Sequence, residues 1–453
     1  MYGLKLQNVD NTNPYEELIK LFLTPQQYRI FSHEEESVPA ETAVFSFEGD
    51  KDRLKRELYG YLAHKTGLRP KWGILTGIRP VKLAGELQRK LGSAEKAKQM
   101  LIEDYLVEEG KADLLLELYA YQQRYLGKPG PDSAGIYIGI PFCPTRCLYC
   151  SFTSNQAGPE EIERYLKALH KEIAFVGQGM AADGITAESL YIGGGTPTTL
   201  TAEQLAELLA CVRNSMDLSR LAELTVEAGR PDTITPEKLE VLKAAGVNRI
   251  SINPQTMHDT TLELIGRSHT KEQTLQAFQM AREAGIDRIN ADLIAGLPGE
   301  TAENFQESLA QVIELGAENI TLHTLAVKRS SRLKEMDENF HYRQPQLAET
   351  MLSQAAEKLR NNGYRPYYLY RQKHTAGSTE NIGYCREDAL SVYNVRIMEE
   401  AQSIIALGAG GITKVYYPRE NRLERVPNVS NYEIYIERIE EMLDRKKKNL
   451  FRR

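Results

Sequence analysis

The sequence predicts an α/β protein: a partial (β/α)6 barrel with an additional N-terminal α-rich domain and a C-terminal α+β domain. Three observations carry this. From Ile136 onward, short β-rich runs alternate with helical segments six times, the pattern of parallel strands joined by crossover helices. Six units fall short of the eight that close a full barrel. Ahead of them lies GKPGPDSAG (Gly127–Gly135), a turn-rich linker. The expected domains are therefore 1–127, 128–363 and 364–453.

In the first domain, helical apolar spacing covers Arg53–Leu68 and again Ala97–Leu126, the latter reading as one long amphipathic helix. Between them GILTGIRPVKL (Gly73–Leu83) is a Gly/Pro-punctuated loop with two cations, Arg79 and Lys82. Those two suit carboxylate recognition as well as they suit a solvated surface.

The core strands are expected at Ile136–Ile140, Ser189–Ile192, Leu224–Glu227, Arg249–Ile252, Ile289–Ile294 and Asn319–His323. Helices are expected at Glu160–Val176, Ala202–Asn214, Pro236–Ala245, Lys271–Ala284 and Thr301–Leu315, and a further one at Gln344–Asn361. In such sheets chemistry gathers at the carboxyl ends of the strands. The last domain holds tyrosine-rich runs, the turn LGAGGITK (Leu407–Lys414) and a closing helix Asn431–Arg445. Its basic tail, RKKKNLFRR, reads as a frayed, solvated helix end.

The chain has 453 residues, with 56 Lys+Arg against 62 Asp+Glu, a net charge of −6. That balance lacks the basic footprint of a nucleic-acid binder. Hydrophobic residues at 42% and charged residues at 26% supply a sizeable core and argue against disorder. The longest apolar stretch, near Ile404–Ile412, is about half of a membrane span. No charged start followed by an apolar run marks a signal peptide. A cytoplasmic protein is expected, with no nucleic-acid partner and no membrane span.

Of five cysteines, three fall within eight residues: Cys143, Cys147 and Cys150, spaced Cys-x3-Cys-x2-Cys just after the first core strand. An odd count argues against a disulfide framework. Structural zinc wants four ligands, and only three are local; Cys211 falls in a helical pattern, where it packs as a small apolar residue. A four-iron cluster on three cysteines fits better, because one iron stays open. A second motif, Leu190-Tyr-Ile-Gly193-Gly194-Gly195-Thr196-Pro197, ends the second strand with three glycines. Close approach of a ligand to backbone is one reason for such a run, and a generic turn is the other.

With these motifs the sequence resembles the radical S-adenosylmethionine enzymes. The resemblance implies a [4Fe–4S] cluster on the three cysteines and S-adenosyl-L-methionine on the open iron. Tyr149 then stands where the family contacts adenine, and Gly194, Gly195 and Thr196 belong to the turn that holds the methionyl group. From about Gly135 through LGAGGIT the chain is similar to the oxygen-independent coproporphyrinogen III oxidase group. Its N-terminal block and length look most like the HemZ-type coproporphyrinogen dehydrogenases. Carried over by position, the cofactor-facing residues include Tyr137, Glu227 in TVEAGRPD, Gln255 in SINPQTM, Arg267, Asp292 in ADLIAGLPGET, Ala326 and Ile412. Glu227, Gln255 and Asp292 also fall at or just beyond predicted strand ends, which the fold alone favours.

The implied activity is oxidative decarboxylation of two propionates of coproporphyrinogen III to give protoporphyrinogen IX. A 5′-deoxyadenosyl radical would take a hydrogen from the propionate β-carbon, and carbon dioxide and one electron would then leave. The implied partners are a tetrapyrrole substrate and a one-electron donor such as flavodoxin or ferredoxin. Two positions depart from the best-defined oxidases: Phe152 replaces a fourth cysteine, and Gly139 a histidine four residues before the first cysteine. The rival within the family is the haem chaperone, with a His-Asn-x-x-Tyr-Trp motif for haem. The corresponding stretch here is Glu380-Asn381-Ile-Gly-Tyr384-Cys385. Anaerobic haem-opening methyltransferases are a third relative.

Overall fold

The computed structural model describes residues 1–31, 39, 41–77, 79–150, 154–327, 331–337, 345–372, 375 and 379–451. The chain forms two compact units. The first is Met1–Tyr121 with a short stretch beginning at Leu369; the second holds the rest.

Helices dominate the first unit, but it also contains a three-stranded parallel sheet, which the sequence reading did not anticipate. β1 (Tyr2–Gln7) runs between β2 (Tyr28–Phe31) and β3 (Ala43–Ser46). Its alternate residues Leu4 and Leu6 are buried against Leu18, Ile19, Leu54, Leu58 and Leu62. Helix Lys51–Thr66 starts where Asp50 accepts from the backbone of Asp52 and Arg53, and it stops at Gly67 in a left-handed turn, the expected cap chemistry.

The long helix expected over Ala97–Leu126 is two helices, Ala94–Glu103 and Glu109–Tyr125. The break sits at Leu106, φ +56°. Val107 N–H reaches back to the Leu101 carbonyl at 3.0 Å, while Glu108 N–H pairs with Lys71 at 2.8 Å and Ile74 N–H with Tyr105 at 2.9 Å. Tertiary hydrogen bonds with the 70s loop outweigh local helix propensity, and no Gly or Pro announces the turn. Arg79 precedes helix Pro80–Leu91 and Lys82 lies in its first turn; both are half-buried and already engaged with other groups.

The second unit is built on β4 (Ser133–Ile140), β5 (Thr186–Gly194), β6 (Glu223–Glu227), β7 (Arg249–Ser251), β8 (Arg288–Ala295) and β9 (Asn319–Thr324), all parallel and paired in sequence order. Crossovers run through Pro159–Asp183, Ala202–Ser215, Pro236–Ala244, Lys271–Glu283 and Ala302–Glu314. Thr201, Thr270 and Thr301 each cap a helix in a reciprocal pair with the residue three positions on. The six predicted strands all form. The sheet does not close on itself: β10 (Arg365–Arg371), β11 (Glu380–Cys385), β12 (Ser403–Leu407), β13 (Ile412–Tyr417) and β14 (Arg422–Pro427) extend it in the order β10-β11-β9-β8-β7-β6-β5-β4-β12-β13-β14.

Along β4, Ile136, Ile138 and Ile140 are fully buried. The alternate residue Tyr137 joins a stack with Tyr191 and Tyr393, ring centroids 4.5 to 6.3 Å apart. At the amino ends of the strands, buried Arg249 pairs with Glu223 at 3.2 Å and donates to the Ala389 and Leu390 carbonyls at 2.9 Å.

The closing helix is also two pieces, Tyr432–Glu437 and Ile439–Asn449. The expectation of a frayed, solvated tail fails. Lys446 is fully buried beside Glu172, and the Phe451 ring packs on Phe175. Arg452 and Arg453 lie outside the described residues. Among the described residues no helix is long and apolar enough to cross a membrane.

Candidate functional site

The cysteine loop leaves the carboxyl end of β4. Cys143 N–H bonds the Asn155 carbonyl at 2.9 Å and Leu148 N–H bonds Ile265 at 2.9 Å, so both limbs are tied down. Thr196 Oγ1 donates to Cys143 Sγ at 3.5 Å, bringing the glycine motif onto the loop. Burial pushes the Cys143 thiol up to about 11; the Thr196 hydroxyl opposes this, and charge on Cys150 and Cys147 adds to it. Metal ligation needs the thiolate, so loading releases protons. Among the described residues no three His, Cys, Asp or Glu are gathered tightly enough for a single metal ion. Around tetrahedral zinc, sulfurs would sit roughly 3.8 Å apart.

Each glycine of the triplet has a packing reason of its own. A Cβ on Gly195 would meet the Phe142 carbonyl oxygen at 2.5 Å, and one on Gly193 would meet the Glu227 carboxyl carbon at 2.9 Å. Gly194 sits at φ +117°, a conformation other residues avoid. Gly139, where oxidases carry histidine, adjoins the later glycine turn: a Cβ on Gly408 would meet its carbonyl oxygen at 2.5 Å. Phe152 lies outside the described residues.

Of the remaining candidates, Gln255 and Asp292 bond each other directly, while Glu227 and Arg267 each have partners of their own. Glu227 accepts from Tyr191 Oη at 2.6 Å and from Gly194 N–H at 3.3 Å. Burial lifts its carboxyl to about 7, the Tyr191 hydrogen bond opposes, and the Asp292 charge adds. Gln255 is buried at φ +71°, and its N–H bonds the Asp292 carbonyl at 2.9 Å. Asp292 holds Asn290 Nδ2 at 2.7 Å and His323 Nε2 at 3.4 Å. Burial alone would raise the Asp292 carboxyl, but His323, Asn290 and Thr321 together hold it below its usual range.

Arg267 Nη1 donates to the Gly229 and Asn253 carbonyls at 2.9 Å, and Nη2 to Tyr149 Oη at 3.2 Å. Ala326 pairs instead with Thr375. Ile412 opens β13 and is 47% exposed. Tyr191, Asn290, His323 and Arg230 were not singled out from sequence. A strand period of two carries the signal for His323, since it shares a face with Thr321, the register partner of Asp292.

Two polar atoms test whether a small polar cofactor fits here. Gln255 Oε1 and Arg267 Nε are buried with no hydrogen-bond partner. Native interiors rarely leave such atoms orphaned, so both stay available to a bound ligand. The donor set suits a group with carboxylate, amine and hydroxyl functions.

An unclosed parallel βα sheet with a three-cysteine loop at the end of its first strand defines a radical S-adenosylmethionine protein, and the Radical SAM superfamily model matches residues 137–312. The chain belongs to that superfamily, in the family of oxygen-independent coproporphyrinogen-III oxidase-like proteins. It is 39% identical over 422 residues to the oxygen-independent coproporphyrinogen-III oxidase-like protein HemZ of Bacillus subtilis, covering 91% of this chain and 83% of that one. It is 40% identical over 197 residues to the heme chaperone HemW of the same organism, covering 42% and 50%. The coproporphyrinogen III oxidase HemN of Escherichia coli, a radical SAM enzyme, shares the fold at TM-score 0.56 and 21% identity, covering 72% and 73%. The family implies a [4Fe–4S] cluster and S-adenosylmethionine.

Proposed function

We propose that this protein carries out radical oxidative decarboxylation of two propionates of coproporphyrinogen III, giving protoporphyrinogen IX. Cys143, Cys147 and Cys150 hold the [4Fe–4S] cluster in this reading. When bound, cluster and S-adenosylmethionine together supply a carbon radical able to abstract hydrogen. The chain's own residues bind and orient. Tyr149 and Arg267 offer a rigid aromatic face beside the cysteine loop. Gln255 Oε1 accepts from a cofactor N–H or O–H, and ionised Asp292, steadied by His323 and Asn290, accepts from hydroxyl groups. Glu227, largely protonated below pH 7, keeps the Gly194 turn closed against β6. The stacked rings of Tyr137, Tyr191 and Tyr393 exclude water from that side.

One observation favours this over haem delivery. The stretch matching the chaperone's haem motif is β11, a buried strand paired with β9, in which Cys385 is fully buried and Asn381 Oδ1 accepts from Thr324 N–H at 2.7 Å. A haem ligand must reach its iron, and nothing in that strand is presented to do so. Anaerobic incubation with coproporphyrinogen III, S-adenosylmethionine and dithionite or reduced flavodoxin, followed by product chromatography, tests the reading. Protoporphyrinogen IX with matching 5′-deoxyadenosine is expected. Haem retained through purification with no turnover would favour the chaperone instead.

A further inference from the structure

Arg230 stands three residues beyond the end of β6, in the same TVEAGRPD run that supplies Glu227, and it is only 3% exposed. Asp232 grips one side of its guanidinium, at Nε (3.2 Å) and Nη2 (3.4 Å). Ser268 Oγ completes that grip, 2.6 Å from Nη2 and 2.7 Å from Asp232 Oδ2. Held this way, the other side meets the cysteine loop. Nη2 reaches Thr145 Oγ1 at 3.0 Å, and Nη1 reaches the Thr145 carbonyl at 3.4 Å and Cys147 Sγ at 3.9 Å. Thr145 Oγ1 in turn donates to the Gly266 carbonyl at 3.2 Å. One buried side chain therefore joins β6, the 266–268 segment and the loop.

Asp232 neutralises the Nε face and leaves Nη1 turned to the sulfur. Guanidinium stays protonated at any working pH and offers five donors in a fixed fork. A neutral donor or a lysine could not make this set of contacts. Hydrogen bonds to cluster sulfurs are among the levers that set iron–sulfur potentials. Reduction of [4Fe–4S]2+ to [4Fe–4S]1+ adds one electron from an external one-electron donor, without breaking a bond or moving a proton. A fixed positive charge against one ligand sulfur favours the more negative, reduced form.

We infer that Arg230 is a positioning residue for the cluster on Cys143, Cys147 and Cys150: it anchors the loop and raises the cluster's reduction potential. This rests on the cluster assignment made above. The test is anaerobic reconstitution of the wild-type chain, Arg230→Gln and Arg230→Lys, with iron and sulfide analysis and an electron paramagnetic resonance redox titration. In Arg230→Gln the ratio of reduced to oxidised cluster at a fixed poise should fall about tenfold, equivalent to about 59 mV for one electron. Arg230→Lys, which keeps the charge and loses the fork, should fall between. A full cluster with unmoved potential in Arg230→Gln overturns the inference, since a purely structural role changes iron content and not the potential. Should Arg230→Gln fail to hold iron, Ser268→Ala is titrated in its place; it loosens the grip and keeps the charge. A smaller shift in the same direction supports the inference, and no shift overturns it. Wild-type protein that binds no iron would remove the cluster assignment itself, and this inference with it.

Discussion

Gln255 donates its backbone N–H to the Asp292 carbonyl at 2.9 Å from a left-handed conformation, φ +71°. Ile294 N–H returns a bond to the Gln255 carbonyl at 3.0 Å. β8 thus clamps a residue in a conformation that costs about 1–3 kcal/mol, and such strain persists where the surroundings over-determine it. The clamp aims an amide whose Oε1 has no protein partner. Gln255→Gly adopts that φ freely, and strain relief offsets the entropy cost of glycine. Its stability should stay within about 1 kcal/mol of the parent, while S-adenosylmethionine affinity falls about tenfold, the value of roughly one hydrogen bond. Equilibrium dialysis measures this. Unchanged affinity would return Gln255 to the scaffold.

Asp292→Asn should fold and hold iron normally yet form less than about a tenth of the 5′-deoxyadenosine, since small misplacements are costly in rate. The alternative role for the Asp292 carboxylate, capping the next helix, is already filled: Thr301 accepts from Asn304 N–H at the start of Ala302–Glu314. The amide keeps a hydrogen bond to Asn290 and loses the charge that His323 faces at 3.4 Å. Near-normal cleavage would show that the charge has no part in the reaction.

Glu227 gives a pH prediction for the apoprotein. Its folded carboxyl lies at about 7, raised by burial from 4.5. Between those values the folded state binds the proton more tightly than the unfolded one, so stability falls as pH rises from about 4.5 to 7 and levels off above. At about 1.4 kcal/mol per unit, the loss is roughly 3 kcal/mol at most. Glu227→Gln cannot ionise and retains an acceptor for Tyr191. The variant should equal the parent near pH 4.5 and exceed it at pH 8; parallel stability curves would contradict this.

The strand–helix rhythm was legible because six buried strands and their capped helices each repeat one local pattern. Glu227, Gln255 and Asp292 came from the resemblance; the structure puts Glu227 at the end of β6 and Gln255 beyond β7, but Asp292 inside β8. What sequence could not give depends on distant partners. The break at Leu106 is held by Lys71 and by the 70s loop. The small sheet of β1, β2 and β3 has strands of four to six residues, too short to carry a periodicity. The resemblance that put Ala326 and Ile412 in the set said nothing of their neighbours. Arg230 was not singled out in the sequence; its role rests on the fold, which brings Thr145, Cys147 and Ser268 around it.

Lys446 makes the tail a test of how the scaffold supports the site. Its Nζ lies 2.5 Å from Glu172 Oε1 and 2.8 Å from Asn428 Oδ1, with both charged side chains fully buried. Glu172 Oε2 also accepts from Gly408 N–H and Tyr435 Oη, each at 2.7 Å. Gly408 packs on Gly139, whose carbonyl takes the Tyr165 hydroxyl at 2.6 Å, at the strand end that leads into Cys143. Lys446→Met leaves a buried carboxylate without its cation, which should cost about 3–5 kcal/mol. Adding Glu172→Gln removes the stranded charge and should restore part of that loss. Lys447→Met, one residue on and exposed, should stay within about 0.5 kcal/mol of the parent. Urea unfolding midpoints rank the three, and iron retention on warming should follow the same order, because the turn carrying Gly408 braces the strand that ends at the cysteine loop. Equal midpoints for Lys446→Met and Lys447→Met would mean that the tail is solvated after all.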